Sequence, residues 1–233
     1  MFFTFNVYSQ DLFNEKNQLP IIDETLKVKI TDISVIGSDR KEIIILAMFI
    51  KIGDTVTPNQ IKEDLQRIFG LGYFSDVKAT KEPYQNGFRL IINVVENPNL
   101  KSVKVEGATI FNNKKLESEF NTQIGKIINF NDIKETIETI KNYYSNLGYQ
   151  AVSVQPNLTP DGELTLKINE GVIEDIRLIG NLETKSYVIM REIRQKPGDI
   201  FNADIIRDDL RRIYNTNFFE SVDIKPSAGI KKS

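Results

Sequence analysis

Apolar and polar positions along this chain form a pattern that is written three times. Three short runs alternate apolar and polar residues and close on glycine: Ile33-Ser34-Val35-Ile36-Gly37, Val103-Lys104-Val105-Glu106-Gly107 and Ile176-Arg177-Leu178-Ile179-Gly180. Such alternation predicts a half-buried β-strand. The closing glycines Gly37, Gly107 and Gly180 recur at a nearly constant interval. A second glycine follows in Ile52-Gly53-Asp54, Ile124-Gly125-Lys126 and Pro197-Gly198-Asp199, and its interval is nearly the same. Two features that return together on one period predict tandem structural repeats.

The same amphipathic helix can be read from each second glycine. Shortly after it stand Thr57, Asn129 and Asn202, all good N-caps. Thr57-Pro58-Asn59-Gln60 adds a proline at the first helical position and a capping-box partner. The apolar stripe then runs Ile61, Leu65, Ile68 in the first copy, Ile133, Ile137, Ile140 in the second and Ile206, Leu210, Ile213 in the third. Offsets of four and three put these side chains on one helical face. The second copy carries the stripe one turn further, to Tyr144 and Leu147. Each helix stops at a turn followed by aromatics: Leu71-Gly72-Tyr73-Phe74, Leu147-Gly148-Tyr149 and Thr216-Asn217-Phe218-Phe219. Glycine or asparagine suits the left-handed C-terminal position.

A strand follows each helix: Val77-Lys78-Ala79-Thr80, Val152-Ser153-Val154-Gln155 and Val222-Asp223-Ile224-Lys225. Asn86-Gly87 and Asp161-Gly162 then lead into alternating runs, a hairpin signal. A shorter apolar segment lies ahead of each second glycine, at 43–50, 116–120 and 188–193, and reads as a first helix. The expected unit is β-α-α-β-β, an α+β fold in which two helices cover one face of a small mixed three-stranded sheet. The expected divisions are a flexible leader over 1–25, units over 26–98 and 99–170, and a third over 171–233 that is cut before or within its last strand. For Met1–Pro20 a second reading stands beside the leader: Val7-Tyr8-Ser9 as the tail of a signal peptide that starts upstream.

Composition removes chemistry rather than adding it. The chain has no Cys, His or Trp, which excludes disulfides, Cys/His zinc sites, thiol nucleophiles and imidazole triads. A net charge of -2 gives no general electrostatic case for nucleic acid. The longest apolar run, Ile43 to Ile50, falls far short of the roughly 20 residues of a membrane helix. The glycines make no phosphate loop. Asp208-Asp209 and Glu117-Ser118-Glu119 are candidate paired carboxylates. Asp208 and Asp209 point to different sides of a helix, and both read as a solvated face. Arg207, Arg211 and Arg212 are expected to pair with Asp204 and Asp208 at helical spacing.

Several stretches resemble POTRA domains, the soluble modules that precede the β-barrel of outer-membrane assembly and translocation proteins. They are Glu170 to Ile176 (EGVIEDI), Arg191 to Asn202 (REIRQKPGDIFN) and Asp64 to Phe74 (DLQRIFGLGYF), with Asn97-Pro98-Asn99-Leu100 leading into Val103 to Gly107. The likeness covers about residues 26 to 230. It is similar to the three-POTRA arm of the cyanobacterial and chloroplast branch of the BamA/Toc-type proteins. The segment Asn181 to Ser186 is short where many members of that branch have a long loop, so a role tied to that loop does not carry over.

The resemblance implies a binding arm with no enzymatic activity and no cofactor. It would lie on the periplasmic face of an outer membrane, or alternatively in a chloroplast intermembrane space. Its partners would be unfolded outer-membrane proteins or preproteins, the C-terminal β-barrel of the same protein, and periplasmic chaperones or accessory subunits. In the family's unit the third strand lies between the other two, which leaves the second strand on the sheet edge. The client-binding edges implied are Val77, Lys78, Ala79, Thr80 and Lys81; Val152, Ser153, Val154 and Gln155; and Val222, Asp223, Ile224 and Lys225. Asn97-Pro98-Asn99 resembles a linker and is the expected hinge, with a stiffer second joint at Asn169-Glu170-Gly171. The alternative is an array that spaces a barrel from its partners without touching clients.

Overall fold

The computed structural model describes residues 27–225 and Ser227. The leader expected over 1–25 and the end of the third repeat beyond Ser227 lie outside the described residues. Two compact units form, one of residues up to 104 with 117–136 and 156–166, the other of 105–116, 137–155 and 167 onward. The division runs through the second repeat.

The first repeat runs β1 (Val28–Ile36), α1 (Lys41–Ala47), β2 (Thr55–Val56), α2 (Pro58–Gly70), β3 (Phe74–Tyr84) and β4 (Gly87–Glu96). Its sheet is ordered β2-β1-β4-β3. β1 pairs with β4 in parallel and β3 pairs with β4 antiparallel, so the sheet is mixed. It has four strands rather than three. The added strand arises where the chain folds back after Gly53: Gly53 N–H donates to Ile30 O and Ile30 N–H to Asp54 O, both at 2.8 Å. The contact recurs in reduced form at the matching place of each later repeat. Val28 faces Val56, and isolated bridges join Asn99 to Ile127 and Val172 to Ile200.

Thr57 caps α2, with the reciprocal Gln60 contact of a capping box. The stripe faces inward: Ile68 is fully buried, with Ile61 and Leu65 packed on a core of Ile30, Ile44, Phe74, Leu90 and Ile92. α1 ends at Ala47, short of the expected Ile50. The N–H groups of Phe49 and Ile50 turn away from the helix to the two carboxylate oxygens of Asp64, each at 2.9 Å. Asp64 is 1% exposed and also holds Arg67 at 2.7 Å. At the hairpin, Gln85 and Asn86 form the turn, with Gln85 at φ 51. Gly87, expected in the turn, is the first residue of β4. A Cβ there would meet Lys29 O at 2.6 Å, so glycine answers the close approach of β1.

The second repeat contains β5 (Ser102–Glu106), α3 (Asn113–Ser118), α4 (Phe130–Ser145), β6 (Ser153–Leu158) and β7 (Glu163–Asn169). Its sheet is ordered β5-β7-β6. Ile133, Ile137, Ile140 and Tyr144 are buried, whereas Leu147 is 51% exposed. The stripe therefore ends at Tyr144: Leu147 lies past the last residue of α4, where the chain leaves the helical path that kept earlier positions on one face.

The third repeat shows α5 (Ser186–Met190) and α6 (Ala203–Tyr214). Asn202 caps α6 by accepting from Asp204 and Ile205 N–H. Ile189, Ile193 and Ile213 form its core, with Ile176, Leu178, Phe219 and Val222 packed against it. The strands expected at 176–180 and 222–225 are not formed among the described residues. In the other two repeats the hairpin's returning strand lies centrally and supplies the ladder to both neighbours. In the third repeat the place of that strand lies outside the described residues.

Asp209 corrects the solvated reading of Asp208-Asp209. Asp208 is exposed and pairs with Arg211 at 3.6 Å. Asp209 is 2% exposed and accepts from Arg194 N–H at 2.8 Å and Arg194 Nε at 2.6 Å. Consecutive helical positions point about 100° apart, which puts one acid in water and its neighbour against the chain that follows α5. Arg207 pairs with Asp204 at 2.7 Å as expected, and Arg212 reaches Glu192 instead, at 3.4 Å.

Asp64→Ala would leave the N–H groups of Phe49 and Ile50 without their acceptor. An expected loss of about 1–3 kcal/mol follows, read as a lower denaturant midpoint. Asp208→Ala, an exposed acid on the matching helix of the third repeat, should stay within about 0.5 kcal/mol of the parent. Equal losses for both would remove the structural role assigned to Asp64.

Candidate polypeptide-binding edges and the joints between repeats

Val77, Lys78, Ala79, Thr80 and Lys81 lie in β3, which pairs with β4 at the end of its sheet. The register closes on Tyr84 opposite Gly87 across the tight turn. Antiparallel pairs alternate between bonded and non-bonded, so Val77, Ala79 and Lys81 turn their backbone N–H and C=O groups away from β4. Pro83 falls in the same alternate set, where its missing N–H costs the ladder nothing. The side chains of Val77 and Ala79 pack on the apolar core. On the opposite face Lys78 pairs with Asp76 at 2.6 Å, Thr80 accepts from Asn93 at 3.3 Å, and Glu82 meets Arg89 at 3.0 Å. Lys81 stands over the Phe88 ring at 5.2 Å.

Ser153, Val154 and Gln155 lie in β6, at the end of the second sheet, and Val152 just precedes it. Val154 is buried and Gln155 is exposed. Pro156 follows inside β6. Proline within a sheet turns its nitrogen to the unpaired side, so it interrupts this edge soon after it begins. Val222, Asp223, Ile224 and Lys225 are in no strand. Val222 packs on the third core, and Asp223 accepts from Ile224 N–H at 2.7 Å.

The joints carry a constellation that the spacing of apolar residues did not reveal. A helix leaves its last carbonyls without partners. At the end of α2, Gly70 O accepts from Asn131 Nδ2 at 3.0 Å, Leu71 O from Asn129 Nδ2 at 3.2 Å, and Gly72 O from Phe130 N–H at 3.0 Å. Asn129 Oδ1 meanwhile caps its own helix through Asn131 N–H at 2.8 Å. The second joint repeats this. At the end of α4, Leu147 O accepts from Asn202 Nδ2 at 2.7 Å and Gly148 O from Ala203 N–H at 2.8 Å. Asn97, expected in a slack linker, is 4% exposed and donates through Nδ2 to Gly72 O at 2.9 Å and Ile128 O at 2.8 Å. Hydrogen bonding thus gives no reason for extra freedom at Asn97-Pro98-Asn99.

Glu170, at the second joint, is 5% exposed. Its carboxylate accepts from Thr109 N–H at 2.8 Å, Ile110 N–H at 3.0 Å, the Thr109 hydroxyl and Tyr144 Oη–H at 2.8 Å. Burial pushes its pKa up, but the bonds from Ile110, Thr109 and Tyr144 outweigh that and hold it below the usual carboxylate value. Burial and the same carboxylate push the Tyr144 phenol well above its ordinary range. These sites had one sequence signal. Asp64 stands at the same offset from Gly53 as Asp209 does from Gly198. Thr136 occupies that offset from Gly125 in the second copy, where it accepts from Gln123 Nε2 at 2.7 Å.

Residues 28–97, 98–171 and 172–232 each match the family POTRA, described as a surface antigen variable number repeat. The chain belongs to that family. Among solved structures it is similar to POTRA1-3 of the periplasmic domain of Omp85 from Anabaena, at 28% identity and TM-score 0.75, covering 88% of this chain and 91% of that one. The N-terminal domain of Omp85 from Thermosynechococcus elongatus is 30% identical with TM-score 0.68, over 88% of this chain and 92% of that one. The chain is 24% identical over 182 residues, 73% of its length, to the chloroplastic outer envelope protein 80 of Oryza sativa subsp. japonica. It is 23% identical over 200 residues, 76% of its length, to the outer membrane protein assembly factor BamA of Nitratidesulfovibrio vulgaris. It spans only 27% and 25% of those two proteins. Among the described residues no helix is long and apolar enough to cross a membrane.

A carboxyl whose folded pKa is depressed stabilises the fold above its unfolded value, about 4.3, and loses that contribution as pH falls through the folded value. The parent should therefore lose stability more steeply than Glu170→Gln as pH is lowered from about 5. Urea midpoints measured across that range check this. Parallel curves for the two proteins would exclude a depressed Glu170.

Proposed function

We propose that this chain is the polypeptide-binding arm of an outer-membrane β-barrel protein. It receives unfolded outer-membrane proteins or preproteins by pairing an extended segment with the open edge of β3. The observation that carries this reading is the long strand β3, with β4 on one side and, among the described residues, no strand on the other. Membership of the POTRA family and the likeness to the periplasmic Omp85 structures support it. The arm would work at the periplasmic face of an outer membrane, beside the barrel of the same protein, or in the corresponding space of a plastid envelope.

An open strand edge is a general template, because backbone groups carry little sequence information. Val77, Ala79 and Lys81 offer two groups each, about six bonds, each worth ~0.5–1.5 kcal/mol net. Ordering the client's backbone costs ~1–2 kcal/mol per residue. The two nearly cancel, so a single edge binds weakly and releases readily. Useful avidity comes from several edges acting on one client. β6 contributes less than β3, since Pro156 interrupts it.

Photoreactive side chains at Thr80 and Gln155, with Lys134 on α4 as control, test this against a labelled unfolded segment of an outer-membrane β-barrel protein. The expected order of labelling is Thr80 above Gln155, and both above Lys134. Labelling of Lys134 as strong as that of Thr80 would overturn the receptor reading and leave an array that only spaces a barrel from its partners.

A further inference from the structure

The geometry points to Gly72 and Gly148 as the residues that let one repeat's helix end accept the next, through an asparagine that serves both repeats. At each joint the N-cap side chain of the following helix does two things. Its oxygen caps its own helix, and its amide nitrogen donates back to a carbonyl at the end of the preceding helix: Leu71 O for Asn129, Leu147 O for Asn202. Asparagine carries both an acceptor and a donor. Thr57, at the same position of the first repeat, closes on Gln60 of its own helix instead.

The glycines lie directly against these asparagines. A Cβ on Gly72 would stand 2.3 Å from Asn129 Oδ1 and 2.9 Å from Asn131 Nδ2. A Cβ on Gly148 would stand 2.5 Å from Asn202 Oδ1 and 2.8 Å from Asp204 Oδ2. Left-handed backbone already favours glycine at both places. Gly72 and Gly148 lie at φ 83 and 85, and Asn217 takes the equivalent place in the third repeat at φ 57. A side chain at 72 or 148 would in addition remove room.

The joint therefore works as a lock with two halves, and each half can be broken alone. Gly72→Asn or Gly148→Asn copies the chain's own third repeat, fills the space and displaces the asparagine opposite. Asn129→Asp or Asn202→Asp keeps the cap acceptor, removes the donor and sets a carboxylate against a carbonyl. This lock is independent of whether the sheet edges bind clients.

The chain contains no cysteine, so introduced pairs report cleanly. Spin labels at Lys62 and Asn157 read the first joint, and labels at Asn142 and Tyr214 read the second, by pulsed electron paramagnetic resonance on the full chain. The parent should give one narrow distance at each joint. Gly72→Asn and Asn129→Asp should lose the narrow distance at the first joint and leave the second unchanged, with helical circular dichroism retained. Gly148→Asn and Asn202→Asp should do the converse. If a glycine variant fails to fold, its aspartate counterpart carries the test. Aspartate variants that keep the parent's narrow distance overturn the proposal.

Discussion

A β-strand is stable only where its backbone groups find a ladder, and in this chain the hairpin's returning strand supplies it. β4 holds β1 in parallel on one side and β3 antiparallel on the other. β7 takes the same central place between β5 and β6. Everything on the sheet follows from that position. It leaves the strand before the turn on the border, with alternate backbone groups unpaired. In the third repeat the helices and core are present, and among the described residues the segments at 176–180 and 222–225 form no strand. Packing of Ile176, Leu178 and Val222 on Ile189 and Ile213 holds those segments near the core without making them strands.

Legibility in the sequence tracks the range of the forces involved. The helical stripe and the caps at Thr57, Asn129 and Asn202 are local matters of spacing and side-chain chemistry, and the sequence alone predicts them. So is the left-handed turn at Asn217. Features that depend on what comes from elsewhere are hidden. Gly87 reads as a turn glycine because it follows asparagine, yet its constraint is the carbonyl of Lys29, which belongs to the first strand of the repeat. Asp209 reads as solvated because its neighbour is. The hydrogen bonds of Asn97 to Gly72 O and Ile128 O are likewise not announced by the proline that follows it. In each case a tertiary contact decides, and nothing nearby in the chain announces it.

The buried acids show how irregular loops come to hold charge inside the fold. Each carboxylate collects several donors that no helix or strand could satisfy: Asp64 those of Phe49 and Ile50, Asp209 that of Arg194, Glu170 those of Thr109 and Ile110. An ionised carboxylate accepts up to about four bonds, so one side chain can close an irregular loop that a neutral residue would leave open. A perturbed pKa in a cleft is a reasonable marker of function. Here the partners of Glu170 are backbone N–H groups and hydroxyls, with no free acid, base or nucleophile among them, and the shift reports architecture.

An open sheet border is a template for pairing with further copies of the same chain. The side chains and the end of β3 bear on that hazard. The backbone of Val77, Ala79 and Lys81 is open, and their small or flexible side chains leave the approach clear. Asp76, Lys78, Lys81 and Glu82 put charged side chains along the strand, and charge on an edge is one of the devices that blunts edge-to-edge pairing. Pro83 stops pairing before the hairpin turn, so no partner can extend the sheet along the strand's full length. Protection of this kind needs no covering element. It leaves the main chain of an edge exposed and acts through the side chains and the proline that line it.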